Sequence, residues 1–365
     1  MPRQANAIDF WRGFALVTIF VNHIPGIYFE RFTHKNYSIS DSAELFVFLA
    51  GWSLRILADR PGKPLSTPRL IVRLGGRALT IYAAHILIIS LAIAMLAASA
   101  LLLENELLLE WHNAAAVFQD PVHTHIGLVL LTHQLGYFDI LPLYVVLMLG
   151  APLIAAIDRL APRILLPLSI AIYLLTLIIP ITIPTWPVPG QWFFNPLAWQ
   201  LIFTLGFVLA RDSSGPGQAV WDNIKVIRYA AIPILIAAAV LMLSRWSPDP
   251  TKVPEPRLLF LNGKTFLTPM RLIQFLALAA AFSAVYPLIV RFAAPLTEFL
   301  SKLGRNSLNV FCVGSLLSLT AQIIRYVYAG ALVVDTMIVV VGTALLWFTA
   351  WISERKASQG AKEAS

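Results

Sequence analysis

Apolar stretches of about 20 residues, the length a helix needs to cross a bilayer, recur along this chain at 8–28, 42–58, 70–103, 138–157, 163–184, 193–211, 226–244, 271–293, 307–328 and 330–352. Hydrocarbon offers no water to satisfy backbone N–H and C=O groups, so a segment that spans it must be a helix or a strand of a closed barrel. These stretches are continuous rather than alternating, which selects helices. The fold they imply is all-α, a polytopic integral membrane bundle of about ten transmembrane helices. A chain that is 58% hydrophobic and only 13% charged fits that class and not a soluble one.

The net charge of +8 reads first as topology. Lys and Arg gather in cytoplasmic loops, and the basic segments are the 55–73 connection, the stretch after Arg211 and the tail SERKASQGAKEAS. Placing these inside puts both termini in the cytoplasm and the loops 29–41, 104–137, 185–192 and 245–270 outside. Residues 1–352 then form a single transmembrane domain and 353–365 a short basic cytoplasmic tail. Asp9 and Arg12 interrupt the first apolar run and no small-residue cleavage site follows, so the first span is expected to be retained. No aromatic-basic interleaving suggests nucleic acid as a partner. The lone cysteine, Cys312, excludes an internal disulfide framework and a multi-cysteine metal site. In the 104–137 loop, His123 and His125 would face one way on a strand, but no third ligand has suitable spacing, and no metal is expected.

Ionisable groups at membrane depth are costly and mark functional sites by default. The first span, IDFWRGFALVTIFVNHIPG, holds Asp9, Arg12 and His23. In a helix, the step from Arg12 to His23 turns through about 1,100° and rises ~16 Å, which puts both on one face. Asp9 lies one turn before Arg12 and can pair with it. Ordinary roles exist for each: a helix-start ion pair and a packing histidine. The second span opens with SDSAELFVFLAGWS. There Glu44 complements the helix dipole, or approaches His23 and fixes its tautomer. Arg73 and Arg77, four apart on the third span, either snorkel or recognise an anionic, phosphate-bearing ligand. His85, two turns deeper, reads as a core histidine.

Asp139 and Tyr144 lie near the outer end of the fourth span, where Asp139 can cap the helix. Asn195 and Trp199, in the stretch QWFFNPLAWQ, could offer a sugar an apolar ring face beside an amide; alternatively the Trp residues belong to an interfacial belt. Lys264 and Arg271 are outer-face cations at the mouth of the eighth span. A GxSxG elbow, a Walker loop and GxGxxG are all absent from the sequence, so serine hydrolase, nucleotide hydrolase and dinucleotide enzyme lack support.

Several of these stretches together resemble the membrane-bound acyltransferase-3 superfamily and most closely its OpgC branch, the succinyltransferases of osmoregulated periplasmic glucans. The superfamily pattern D-x2-R-x10-H matches Asp9, Arg12 and His23; the acidic-L-F-F-V-L-S-G run is similar to 44–51; R-x3-R-I-x-P-x-Y is similar to Arg73, Arg77 and Tyr82. FDILPLY, NPLAWQ and KTFLTPMRLIQFLALA point to the branch. The chain departs from the superfamily at Ala50, Thr80 and Gly314, which stand where serine, proline and a ninth-span histidine are common.

The resemblance implies an acyltransferase in the bacterial inner membrane. It would move a succinyl or acetyl group from cytoplasmic acyl-CoA to a periplasmic glucan or other glycan. Acyl-CoA would be a co-substrate, with no permanently bound cofactor. His23 and Glu44 would form the catalytic pair, and Asp9, Arg12, Arg73, Arg77 and Tyr82 would serve the donor. Asp139, Tyr144, Asn195, Trp199, Lys264 and Arg271 would serve the acceptor or the acyl end, with Lys264 or Arg271 meeting a succinyl carboxylate. The remaining partner is the bilayer, and the oligomeric state stays open, a homodimer included. Two other classes of function stay open as well. A secondary transporter could use Asp9, Arg12, His23 and Glu44 as a proton or anion path, and a membrane receptor could bind glycan without chemistry.

Overall fold

The computed structural model describes residues 6–59 and 65–363; residues 60–64 of the basic connection and 364–365 of the tail lie outside the described residues. Helices α1 (Ala7–Asn22), α2 (Ser42–Ala58) and α3 (Thr67–Leu102) come first. Short helices α4 (Ala115–Gln119) and α5 (Pro121–Val129) follow within the 104–137 segment. Next are α6 (Ile140–Leu160), α7 (Pro162–Ile178), α8 (Pro196–Leu209), α9 (Gly215–Asp222) and α10 (Ile224–Leu243). The chain ends with α11 (Pro269–Phe282), α12 (Tyr286–Phe292), α13 (Ala294–Arg305), α14 (Ser307–Tyr328) and α15 (Leu332–Glu363). Among the described residues the only β pairing is an isolated bridge between Pro184 and Gln191. The molecule is all-α.

Five helices, α3, α6, α10, α14 and the Leu332–Lys356 part of α15, are long and apolar enough to cross a membrane. The pair α11 and α12, bent by 44° at its break, makes a sixth. This is a membrane protein. Helices also occupy the other four apolar stretches, but α1 has 16 residues, α2 and α7 have 17 each and α8 has 14. These fall short of the ~20 residues a lipid-facing span requires. Of these, α1, α2 and α8 are largely buried, while α10 and α15 present rows of exposed Ile, Leu and Val.

Close helix contact at the centre depends on glycine. A Cβ on Gly51 would meet Phe203 O at 1.9 Å, and one on Gly206 would meet Phe48 O at 2.0 Å, so α2 and α8 touch backbone to backbone. Gly13 and Gly304 do the same for α1 and α13, with Leu300 O at 1.9 Å and Asp9 O at 1.8 Å. Small residues are the usual means of such approach in membranes. Helix starts follow local chemistry. Asn6 Oδ1 accepts from Asp9 N at the head of α1, Asp41 and Glu44 form a reciprocal capping box on α2, and Asn195 Oδ1 accepts from Leu197 N on α8. At the end of the bundle away from His23, Arg55 Nη1 and Arg211 Nη2 lie 2.7 and 2.9 Å from Asp158 Oδ2, tying α2 and the end of α8 to α6. The basic tail, expected to be separate, continues the helical backbone of α15 as far as Glu363.

Candidate active site

Helix α1 delivers its two conspicuous polar side chains to different cavities. One, of about 450 Å³, is lined by Arg12, Ser53, Arg73, Arg77, Thr80, Tyr144, Phe46 and Phe311 among others. The other, of about 300 Å³, is lined by Asn22, His23, Lys35, Asp41, Tyr137, Asp139, Phe193, Phe194, Lys264 and again Phe311. The shared helical face expected of Arg12 and His23 thus becomes two sites in line, one at each end of α1.

In the first cavity, Arg12 Nη2 donates to Leu49 O at 3.0 Å and to Ser53 Oγ at 2.8 Å on α2. The expected Asp9 partnership is replaced. The Asp9 carboxylate accepts from Asn6 Nδ2 at 2.8 Å, and Asp9 belongs to the start of α1 rather than to the cavity. Arg73 and Arg77 are exposed on α3, and among the described residues no carboxylate forms an ion pair with either. Tyr144, expected near the acceptor, stands in this cavity, and its hydroxyl is buried without a hydrogen-bond partner. Tyr82, expected beside the two arginines, is not among the lining residues; its hydroxyl donates to Val129 O at 2.9 Å and ties α3 to α5. His85 is fully buried on α3 and lines neither cavity.

In the second cavity, His23 closes α1, its N–H donating to Ile19 O at 2.9 Å. Its ring lies 4.6 Å from that of Tyr137, and its Nδ1 is buried without a hydrogen-bond partner among the described residues. The His23 carbonyl accepts from Gln322 Nε2 at 2.6 Å, while Gln322 Oε1 sits 2.8 Å from His112 Nε2. Just beyond His23, Arg325 donates to Pro25 O and Gly26 O, and Asp335 holds both Arg325 Nε and Tyr28 N at 2.7 Å. Pro25 and Gly26, just after the end of α1, therefore form a clamped turn.

Glu44 does not meet the imidazole. Its Oε1 accepts from Arg271 Nε at 2.7 Å and Nη2 at 2.6 Å, and its Oε2 accepts from Asp41 N at 2.9 Å. A carboxylate that is fully buried needs such a cation, and Arg271 supplies it. The carboxylates that do reach the cavity are Asp41 and Asp139, and Asp41 is paired with Lys264 Nζ at 2.6 Å. Burial alone would raise its pKa, but Lys264 and Arg271 hold it well below the usual carboxylate range. Asp139, just before α6, lacks a compensating partner of that strength, and burial pushes its carboxyl up to about 7 against the pull of Lys264.

Asn195 and Trp199 are not a sugar platform. Trp199 is wholly buried and its Nε1 donates to Lys264 O and Thr265 O at 3.1 and 3.2 Å. Asn195 Nδ2 donates to Ile181 O at 2.6 Å. Together they brace the loop that carries Lys264. The aromatic wall of the cavity is instead Phe193 and Phe194, with Lys264 Nζ 5.8 and 5.5 Å from their ring centres. Asp41, Tyr137 and Phe193 are cavity residues that the sequence alone does not single out, except that D-x-x-E before an apolar run is a capping-box signature that marks Asp41. His123 and His125 are on α5, not on a strand. Residues two apart on a helix point apart by about 200°; His123 Nδ1 lies 2.9 Å from Asp120 and His125 Nδ1 2.5 Å from Pro121 O. No group of three metal-ligating side chains occurs among the described residues.

A family model described as OpgC protein matches residues 3–358. No curated protein and no solved structure matches the chain.

Proposed function

Because this chain belongs to the OpgC family, we propose that it is a transmembrane O-acyltransferase of the bacterial inner membrane. In this reading it carries an acyl group, succinyl by preference, from cytoplasmic acyl-CoA to a hydroxyl of a periplasmic glucan. The observation that carries the reading is the pair of cavities in line along α1, one lined by Arg73 and Arg77, which form no ion pair with a carboxylate among the described residues, and one lined by a histidine.

Acyl-CoA is a polyanion. Its phosphates fit the mouth formed by Arg73 and Arg77, since guanidinium geometry suits phosphate oxygens, and Arg12 stands deeper along the same cavity. That end then faces the cytoplasm, in keeping with the basic 55–73 connection and with both termini inside a bundle of about ten spans. At the other end the glucan enters against Phe193, with Asp41, Asp139 and Lys264 as hydrogen-bonding groups. His23 takes the proton of a glucan hydroxyl. The oxygen adds to the thioester carbonyl, the C–S bond breaks, and the proton passes to the departing thiolate. A succinyl carboxylate meets Lys264, which lines the cavity and is partly exposed beside Asp41, rather than Arg271, which is enclosed against the buried Glu44. Acyl-CoA is a co-substrate, and the reading needs no bound cofactor and no metal.

The test is acyl transfer in proteoliposomes with succinyl-CoA and a β-glucan oligosaccharide, wild type against His23→Ala. The mass of the glycan reports the group transferred. Loss of transfer by about 10² or more at retained CoA binding is expected for removal of a general base. Transfer at the wild-type rate in the variant would overturn the role of His23.

A further inference from the structure

Phe311 lines both cavities. Two further helices, α2 and α6, pass from one to the other beside it. On α2, Ser42 and Ala43 face the His23 cavity and Phe46 and Ala50 the arginine cavity. On α6 the change comes between Ile140 and Leu141, with Tyr144 next on the arginine side. Within about one helical turn, ~5.4 Å, the wall of one chamber becomes the wall of the other. The Phe46 ring centre is 5.5 Å from that of Tyr144 and 6.3 Å from that of Phe311. What lines the crossing is therefore a layer of three aromatic side chains, and side chains can move by rotamer change without repacking helices.

A second observation points to a ligand at this layer. The Tyr144 hydroxyl is buried without a partner, a state that proteins rarely leave unexplained. It sits on the arginine side of the aromatic layer, beyond the side chains expected to hold phosphate. A group reaching it from that side would be the uncharged, amide- and thioester-bearing arm of the donor, whose carbonyl oxygens are acceptors.

Resting on the acyltransferase reading above, we propose that Phe311, packed on Phe46, is the partition through which the acyl thioester reaches His23, and that the Tyr144 hydroxyl donates to a carbonyl of the donor arm at that crossing. The ring separates the thioester from the water of the His23 cavity until acceptor is seated. Without it, water adds to the thioester carbonyl, the C–S bond breaks, and free acid and CoA thiol are released.

The experiment uses the full chain in proteoliposomes with succinyl-CoA and reads three quantities: CoA thiol released without glucan, acyl group transferred with glucan, and CoA binding. Phe311→Ala raises glucan-independent CoA release about tenfold and lowers the acyl groups transferred per CoA released. Phe311→Trp lowers transfer about tenfold while CoA binding stays within about twofold. Tyr144→Phe raises KM for the donor about fivefold, the loss expected of one neutral hydrogen bond. If Phe311→Ala does not fold, Phe311→Trp and Phe311→Leu carry the same comparison. Wild-type coupling in the small variant together with wild-type transfer in the Trp variant overturns the partition alone. A wild-type protein that neither binds nor consumes acyl-CoA overturns the acyltransferase reading, and the partition with it. Phe311 variants that all lose CoA binding in step with transfer show a collapsed wall and also overturn the partition.

Discussion

At the Arg12 end of α1, Arg73 and Arg77 face a cavity in which no carboxylate among the described residues pairs with them, whereas at the His23 end Lys264 and Arg271 lie in contact with Asp41 and Glu44. The same residue type is thus put to two uses. Exposed guanidinium groups without anions remain available to a charged ligand. A buried guanidinium against a buried carboxylate is satisfied within the fold, and removing either partner strands the other charge. The electrostatics of the two ends differ as those of a donor site and an acceptor site should, since the proposed donor is a polyanion and the proposed acceptor a neutral glycan.

The contrast breaks most readily at Arg271. Arg271→Leu leaves the fully buried Glu44 carboxylate without its cation, and a loss of about 3–5 kcal/mol in stability is expected. Adding Glu44→Leu should restore much of it. Thermal unfolding in detergent checks both, and an unchanged Tm for the single variant would remove Arg271 from the scaffold.

The opposite outcome is expected at the other end. Arg73→Ala with Arg77→Ala should leave stability within about 0.5 kcal/mol, as for other exposed sites. The pair should raise KM for acyl-CoA by about 10- to 100-fold, the worth of two charge-assisted contacts weakened by solvent exposure, without altering KM for glucan. Steady-state kinetics with each substrate varied in turn separates the two. A larger effect on glucan than on acyl-CoA would reverse the assignment of the cavities.

A test of a different kind, by pH, concerns Asp139. Its folded carboxyl titrates near 7 rather than at its ordinary 3.8 because burial opposes its charge. The folded state therefore holds this proton to higher pH than the unfolded chain does. The stability it contributes is full below about pH 4 and is lost as pH rises toward 7. Asp139→Asn should flatten that part of the Tm profile, and an unchanged slope would mean that Asp139 does not titrate as its burial implies.

The sequence made some of this arrangement readable. Apolar runs of bilayer length located the helices, and the Arg12–His23 spacing located α1 as the axis, because helical period and span length are local properties. Pairing across helices is not local. Whether Glu44 meets His23 or Arg271 depends on where α11 packs against α2, and Glu44 and Arg271 are far apart in the chain. That Tyr144 lines the arginine cavity rather than the His23 cavity is illegible in the sequence for the same reason. A position along a helix indicates depth but not which of two chambers a side chain faces. Trp199 misled because an aromatic beside an amide describes a sugar platform and a braced loop equally well, and only burial separates them. Of the ten apolar stretches, only those of α3, α6, α10, α14, α15 and the bent pair α11 and α12 carry helices of spanning length, because an apolar run need not be helical from end to end.

The most direct test of the account is the sidedness of transfer. With the protein inserted in one orientation in sealed proteoliposomes, acyl-CoA would be supplied on the Arg73 and Arg77 side and glucan on the His23 side, and then both on a single side. The account predicts transfer only when the two substrates are on opposite sides of the membrane. Transfer with both substrates confined to one side, or with the sides exchanged, would contradict it.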